Sequence, residues 1–439
     1  MLAGSLFFLA YYPGILSYDS KVQTMQAFLG LSSYTKFHPP LHTFVWSVCL
    51  KLGSIMSVNA MAIYSVSQML FLSCAFAKLI KYMINRKVNN FIVVFAVLFF
   101  MFNPVISMFS VIMTKDVYFC GFLVLFIIEL LKLSSNSEQY LNSYKSLIFF
   151  VSFAVFSSLF RNNFIYVIIV MIPTFLIVFR KHLKKISIFL VLILGFYYLV
   201  NNTLYGFLKI AEGNPREMLC VPIQQISCVI NWNDKKLSND TRKKISKFMD
   251  YEVALNDYNP RFADPVKKTF NSEYFTNNEG EFIKLWFALL SKYPNEYISS
   301  FLTLNLPYWY FDAASIDPFA NRIYIESNNY DNDYYSINRK TKAPHLLNIY
   351  EKVASYELFE GVPLVSNVFS LSLPLWILLF ALFNCLYKGK YKTIPVIMTL
   401  ILLIMTYIVG PVSNLRYVFP LVAMYPLFIA IILNTKKFE

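Results

Sequence analysis

Charge is scarce in this sequence: Asp, Glu, Lys and Arg supply only 15% of 439 residues, against 57% hydrophobic and 18% aromatic. That leaves far more apolar surface than one soluble core can hide, which excludes an ordinary water-soluble globular protein. The first segment, "MLAGSLFFLAYY", lacks the basic start and small-residue cleavage site of a signal peptide. As a helix it would rise about 18 Å against a hydrocarbon core of about 30 Å, so it is expected to be the outer half of a membrane helix whose upstream part is missing. Cysteine is sparse too, at six residues, and Cys49, Cys74, Cys120 and Cys385 lie in or beside apolar runs, where they act as small hydrophobes. Cys220 and Cys228 lie outside those runs. A helix would hold their backbones roughly 12 Å apart, so a bridge requires non-helical chain between them.

Apolar stretches long enough to span, or nearly so, fall at 60–81, 91–112, 117–133, 146–160, 164–179, 186–205, 364–386, 393–410 and 418–433. With the partial first one they predict an all-α polytopic membrane protein of about ten helices. The formal net charge of +14 then reports orientation rather than nucleic-acid binding, because the basic residues lie between apolar segments. Residues 40–57 decide the topology. If they lie along the outer surface, Lys78, Lys81, Arg86 and Lys87, then Lys132 and Lys145, Arg180 to Lys185, Lys388 to Lys392, and Lys436 and Lys437 all face the cytoplasm. The short loops opposite carry only Lys36, Lys51, Lys115, Arg161 and Arg416. The reading is a plasma-membrane protein with both termini cytoplasmic. It has an N-terminal membrane module at 1–205 with its first outer loop at 13–58, an extracellular, mostly helical domain at 206–363, and C-terminal membrane helices at 364–439.

That orientation gathers the chemistry on one face. Asp19 follows a Pro-Gly turn in "PGILSYDS", and Lys115-Asp116 forms the tight outer turn of "MTKDVYF". Either acid can be solvated headgroup-level charge, but two outward acids brought together by folding suit a general base or a metal ligand. "FHPPLH" spaces His38 and His42 by four, yet Pro39 and Pro40 place His38 ahead of any helix. That disfavours a shared metal site and favours a His38 that bonds substrate or orients Asp19. Arg161 in "FRNNF" and Arg416 in "GPVSNLRYVFP" stand at outer helix ends among amides. Snorkelling explains a lone arginine, whereas two beside two acids point to a bound phosphate. "LPYWYFD" at 306–312 reads as an interfacial aromatic belt, and 328–342 as a polar loop. No solenoid-like repeat is visible in the polar region.

Together "YYPGILSYDS", "FHPPL", "NPVISMFSVIMTKDVYF", "RNNFIYV", "VPIQQIS", "YNPRFADPVK", "YPNEYISSFLTLNLPYWY" and "GPVSNLRYVFPL" resemble a bacterial family of multi-spanning membrane proteins whose membrane half is similar to the GT-C class of glycosyltransferases. The resemblance implies inverting transfer of a sugar from a polyprenyl-phosphate donor to a cell-surface glycan or glycopolymer on the extracellular face. It matches the class's first-loop acid to Asp19, a second-loop acid to Asp116, and a "PPL" element before an interfacial helix to Pro39, Pro40 and Leu41. The expected roles are Asp19 as base, with Asp116 and His38 as further catalytic candidates. Arg161, Arg416 and Lys115 are candidates for the lipid phosphate; Gln224, Gln225, Asn162 and Tyr417 for substrate. A divalent cation, Mg or Mn, at Asp19 and Asp116 is a possible cofactor, weakened by Lys115 standing where the class often has an acidic pair. A polymerase or ligase of lipid-linked glycans is the alternative enzyme. A transporter is the non-enzyme reading, disfavoured because Glu129 and Lys132 sit near one end of their segment rather than at its middle.

Overall fold

The computed structural model describes residues 2–313, 340–358, 362, 369–433 and 438; most of the polar stretch 328–342 lies outside them. The chain is largely α-helical. It opens with α1 (Leu2–Ala10), strand β1 (Ile15–Leu16), α2 (Tyr18–Leu29) and α3 (Pro40–Met56). Then come α4 (Ala60–Asn85), α5 (Asn90–Phe102), α6 (Pro104–Phe109), strand β2 (Ile112–Met113) and α7 (Lys115–Ser135). A short α8 (Ser137–Leu141) leads to α9 (Tyr144–Phe160), α10 (Phe164–Val178) and α11 (Leu183–Tyr198), which runs on into a π turn.

Among the described residues three helices are long and apolar enough to cross a membrane: Ala60–Asn85, Lys115–Ser135 and the run Arg180–Phe207. A bent pair near the C-terminus makes a fourth if counted as one span, and there are shorter apolar helices besides. Burial orders these elements. In its most apolar window α7 is 89% buried, α4 50% and the Arg180–Phe207 run 22%. So α7 is the central column, packed on α4 and α9, while the α11 run turns its apolar side outward. The segment expected at 91–112 is broken at Asn103. Pro104 has no N–H to continue the helix, and the Asn103 side chain caps the next one by accepting from the Ile106 N–H at 3.1 Å.

A large helical extramembrane region follows, with α12 (Cys220–Asn233), α13 (Asn239–Ser246), α14 (Tyr251–Asn256), α15 (Asp264–Lys268), α16 (Ser272–Asn277), α17 (Glu279–Lys292) and α18 (Pro294–Leu304). It has its own hydrophobic core, built from residues such as Ile226, Phe248, Phe282 and Tyr297 and separate from that of the membrane helices. Cys220 and Cys228 both lie on α12 and are free thiols, as the distance along a helix requires. The chain closes with α19 (Pro344–Ala354), α20 (Leu373–Tyr387), α21 (Ile394–Tyr407), α22 (Leu415–Val422) and α23 (Tyr425–Leu433). α19 packs on α1, with Tyr350 stacked on Phe7 at 3.7 Å between ring centroids, so the short first helix gains a partner from late in the chain.

Only one sheet occurs among the described residues, and it positions the acids. β1 pairs in parallel with β2, Ile15 opposite Ile112 and Leu16 opposite Met113. Gln68 of α4 supports it from behind, its Nε2 donating to the Ser110 and Ile112 carbonyls at 2.7 and 2.9 Å. Ser17 donates to the Met113 carbonyl at 2.9 Å, and the Ser20 hydroxyl donates to the same carbonyl.

Candidate functional site

The parallel pairing exposes a sequence relation that separate motif reading missed. Residues 15–19 read I-L-S-Y-D and residues 112–116 read I-M-T-K-D. Each copy is a two-residue strand, a hydroxyl residue at the helix N-cap, and an acid at the helix's second position. Because the strands pair in register, Asp19 and Asp116 occupy corresponding places in the first turns of α2 and α7, where the helix dipole favours a carboxylate. Thr114 caps α7 by accepting from the Asp116 N–H at 3.4 Å and donates its own hydroxyl to Asp116 Oδ2 at 3.0 Å; Ser17 instead turns to the opposite strand.

Two cations from distant helices complete the cluster. Arg161 caps the C-terminal end of α9, its N–H bonded to the Ser157 carbonyl at 3.0 Å, and its guanidinium pairs directly with Asp116. Tyr407, Tyr417 and Phe119 enclose that guanidinium, with ring centroids at 4.4, 5.1 and 5.6 Å. Arg416 lies in the first turn of α22, whose N-cap Asn414 accepts from the Arg416 N–H at 2.9 Å. Its side chain bridges the acids, with Nη1 3.0 Å from Asp19 Oδ2 and Nε 3.4 Å from Asp116 Oδ2. Lys115 Nζ stands 3.8 Å from Asp19.

The corresponding acids therefore differ in environment. The Asp116 side chain is 0% exposed and Arg161's 8%, whereas Asp19, Lys115 and Arg416 keep 21%, 19% and 20%. One pair is a sealed ionic anchor and the other three groups form an accessible face. Two carboxylates against three basic side chains leave one positive charge in excess.

Burial alone would raise the Asp19 carboxyl, but the neighbouring Arg416 and then Lys115 outweigh it and hold it below the ordinary carboxylate range. His38 adjoins the same groups. It is only 3% exposed and neither ring nitrogen has a hydrogen-bond partner. Burial and the Lys115 charge push it down to about 3, so it is a neutral imidazole. His42 is separate from it. Its Nδ1 meets Gln23 Oε1 at 2.9 Å and its Nε2 the Tyr64 hydroxyl at 2.7 Å, a buried clasp joining α2, α3 and α4.

The structure thus brings Asp19, Asp116, Lys115, Arg161, Arg416 and His38 together, with Tyr417 against both guanidinia. Asn162 is half-buried and donates to the Lys36 carbonyl at 3.2 Å, tying the α9–α10 turn to the loop that carries His38. Gln224 and Gln225 are buried within the extramembrane region. Gln224 donates to the Asn259 carbonyl at 2.5 Å; Gln225 accepts from Trp286 Nε1 at 3.0 Å. Their hydrogen bonds serve that region's own packing. The region reaches the cluster by another route: the Ala263 N–H donates to the Pro411 carbonyl at 2.9 Å, and Ser413 donates to the Leu304 carbonyl at 3.0 Å. In the aromatic run, Tyr308 is buried while Tyr310 and Phe311 are exposed.

The residues do not suit a divalent cation. Both carboxylates already face fixed guanidinium or ammonium charge, which a Mg or Mn ion would have to displace or share. Among the described residues no three His, Cys, Asp or Glu side chains are placed to hold one metal ion together.

Comparison with known proteins places the chain. Residues 32–438 match the model of a family described as a family of unknown function, DUF6020. The chain belongs to DUF6020. No curated protein and no solved structure matches it. Within the DUF6020 match lie His38, Lys115, Asp116, Arg161 and Arg416, the anchor and most of the accessible face, while Asp19 precedes it.

Proposed function

We propose that this protein is a membrane glycosyltransferase of GT-C type, moving a sugar from a polyprenyl-phosphate donor to a glycan or glycopolymer acceptor on the outer face of the plasma membrane. The observation that carries the reading is the accessible Asp19–Arg416–Lys115 face, with an unmatched positive charge, resting on the sealed Asp116–Arg161 pair.

In the reaction the acceptor hydroxyl gives its proton to Asp19 as its oxygen bonds the anomeric carbon. The bond from that carbon to the phosphate oxygen breaks, and the lipid phosphate leaves with the electron pair. Arg416 and Lys115 hold that phosphate, fixed cations in a partly dry cleft where charge develops on the leaving oxygen. Asp116 and Arg161 keep Arg416 aimed, and the unpartnered ring of His38 offers a hydrogen bond to a substrate oxygen. The extramembrane region borders the acceptor side, while the apolar helices accommodate the polyprenyl chain.

The test is transfer in reconstituted proteoliposomes supplied with polyprenyl-phosphate sugars and acceptor glycan. A positioned base contributes about 10²–10⁴-fold. Asp19→Asn should lose transfer on that scale while keeping the wild-type helical content by circular dichroism, with a lowered melting temperature because its ion pairs to Arg416 and Lys115 are gone. Transfer at the wild-type rate by Asp19→Asn would remove Asp19 as the base.

A further inference from the structure

The cluster as the structure shows it is poorly set up to take a proton. A carboxylate is an efficient base when its pKa lies near the working pH, and Asp19 is held on the wrong side by the cations beside it. Three charged or titratable groups face it from the elements packed around it: His38 from the loop before α3, Lys115 from α7 and Arg416 from α22. Of these Arg416 lowers the Asp19 carboxyl most, then Lys115, then His38.

The two contacts of Arg416 are not equivalent. Its Nε lies against Asp116, which is fully buried and also held by Arg161 and Thr114. Its Nη1 lies against Asp19 at the accessible edge. A phosphate entering there adds an anion to a face whose partly exposed cations are Arg416 and Lys115. Arginine can bind phosphate in a two-pronged fashion, whereas its contact with Asp19 is a single Nη1–Oδ2 bond, so the phosphate competes well for that end of the guanidinium.

We propose that Arg416 is an exchange residue: when the donor binds, its Nη1 leaves the Asp19 carboxylate for the donor's phosphate while Nε stays on Asp116, freeing Asp19 to accept a proton only after the donor is seated. This rests on the donor reading above. With Arg416 turned away, the largest downward influence on Asp19 is gone while the upward push of burial remains, so the same carboxylate becomes a stronger base. Donor binding and base activation are then one event, so an acceptor arriving first meets a carboxylate too weak to deprotonate it.

The test uses the full chain in nanodiscs, farnesyl phosphate as probe, and infrared titration of the carboxylate band that Asp19→Asn removes. Losing one close guanidinium raises a carboxyl by about one to three units. Saturating farnesyl phosphate should move the Asp19 midpoint up by that amount, and farnesol, which lacks the phosphate, should leave it in place. Arg416→Gln should show the raised midpoint with no probe and bind farnesyl phosphate at least about tenfold more weakly, the equivalent of one lost charge-assisted contact. Arg416→Lys, which preserves the charge, should keep the low midpoint. An unmoved midpoint at saturation, or an equal shift with farnesol, overturns the exchange and leaves the donor reading standing. Failure of farnesyl phosphate to bind at all overturns both.

Discussion

Arg416 holds two carboxylates with one side chain, and the acids it joins come from positions 19 and 116. That they would meet was legible from charge: each lies at the outer end of a segment in the topology set by the basic loops. How they pair was not, because sequence gives no distance between residues so far apart. The sequence sets the arginines beside a phosphate-binding role but says nothing of the acids that each of them contacts in the structure. His38 offers a measurable consequence. Its folded pKa, about 3, lies below the ordinary 6.5 because the ring is buried and Lys115 is near. At pH between those values the unfolded chain binds a proton that the folded protein does not, so stability is full above 6.5 and drains as pH falls toward 3. Between pH 7 and 5 this amounts to about 2 kcal/mol. Thermal melts of the wild type and His38→Asn over that range should diverge, the wild type losing more stability on acidification. Parallel pH profiles would show that the ring is not held neutral.

At the scale of elements, most helices were legible because apolar runs bounded by polar residues leave few alternatives, and α4, α7, α9 and α10 match the expected stretches closely. The break at Asn103 was signalled by its Asn-Pro pair, although the run around it is apolar throughout. The β1–β2 clasp was not legible. Two residues are too few for a period-two pattern, and the repeated I-x-[S/T]-x-D pentad is visible only when the two loops are aligned. The clasp depends on Gly14, which enters β1 at φ 142°, where a side chain is strained. A Cβ there would lie 2.3 Å from Ser65 Oγ and 2.7 Å from Met61 Cε. Gly14→Ala should therefore cost about 2 kcal/mol or more in denaturation in detergent, through strain and overpacking together. Because the clasp fixes Asp19 against Lys115, the same variant should also weaken farnesyl phosphate binding. Wild-type stability in Gly14→Ala would mean that the strand entry is not the constrained point the backbone implies.

For the whole molecule the question is sidedness, since a donor-phosphate site works only if the cluster and the extramembrane region share one side of the bilayer. Two features bear on it independently. The α9 C-terminus and the α7 and α22 N-termini meet at the cluster, so the helices that carry its charges all end there. At the other end of α7, Glu129 pairs with Lys132 at 2.6 Å and accepts from the Tyr140 hydroxyl at 2.8 Å, a closure among basic loops rather than a second site. The positive-inside rule assigns that end to the cytoplasm. Exposed positions on the two sides make the assignment measurable: Ser238 caps α13 in the extramembrane region, and Lys388 follows α20 among basic residues. In a background with the exposed Cys74 replaced by alanine, a membrane-impermeant maleimide should label Ser238→Cys on intact cells and Lys388→Cys only after lysis. Labelling of Lys388→Cys from outside would invert the molecule. The cluster would then open to the cytoplasm, and transfer onto a cell-surface acceptor would fail on geometry alone, whatever the chemistry of its side chains.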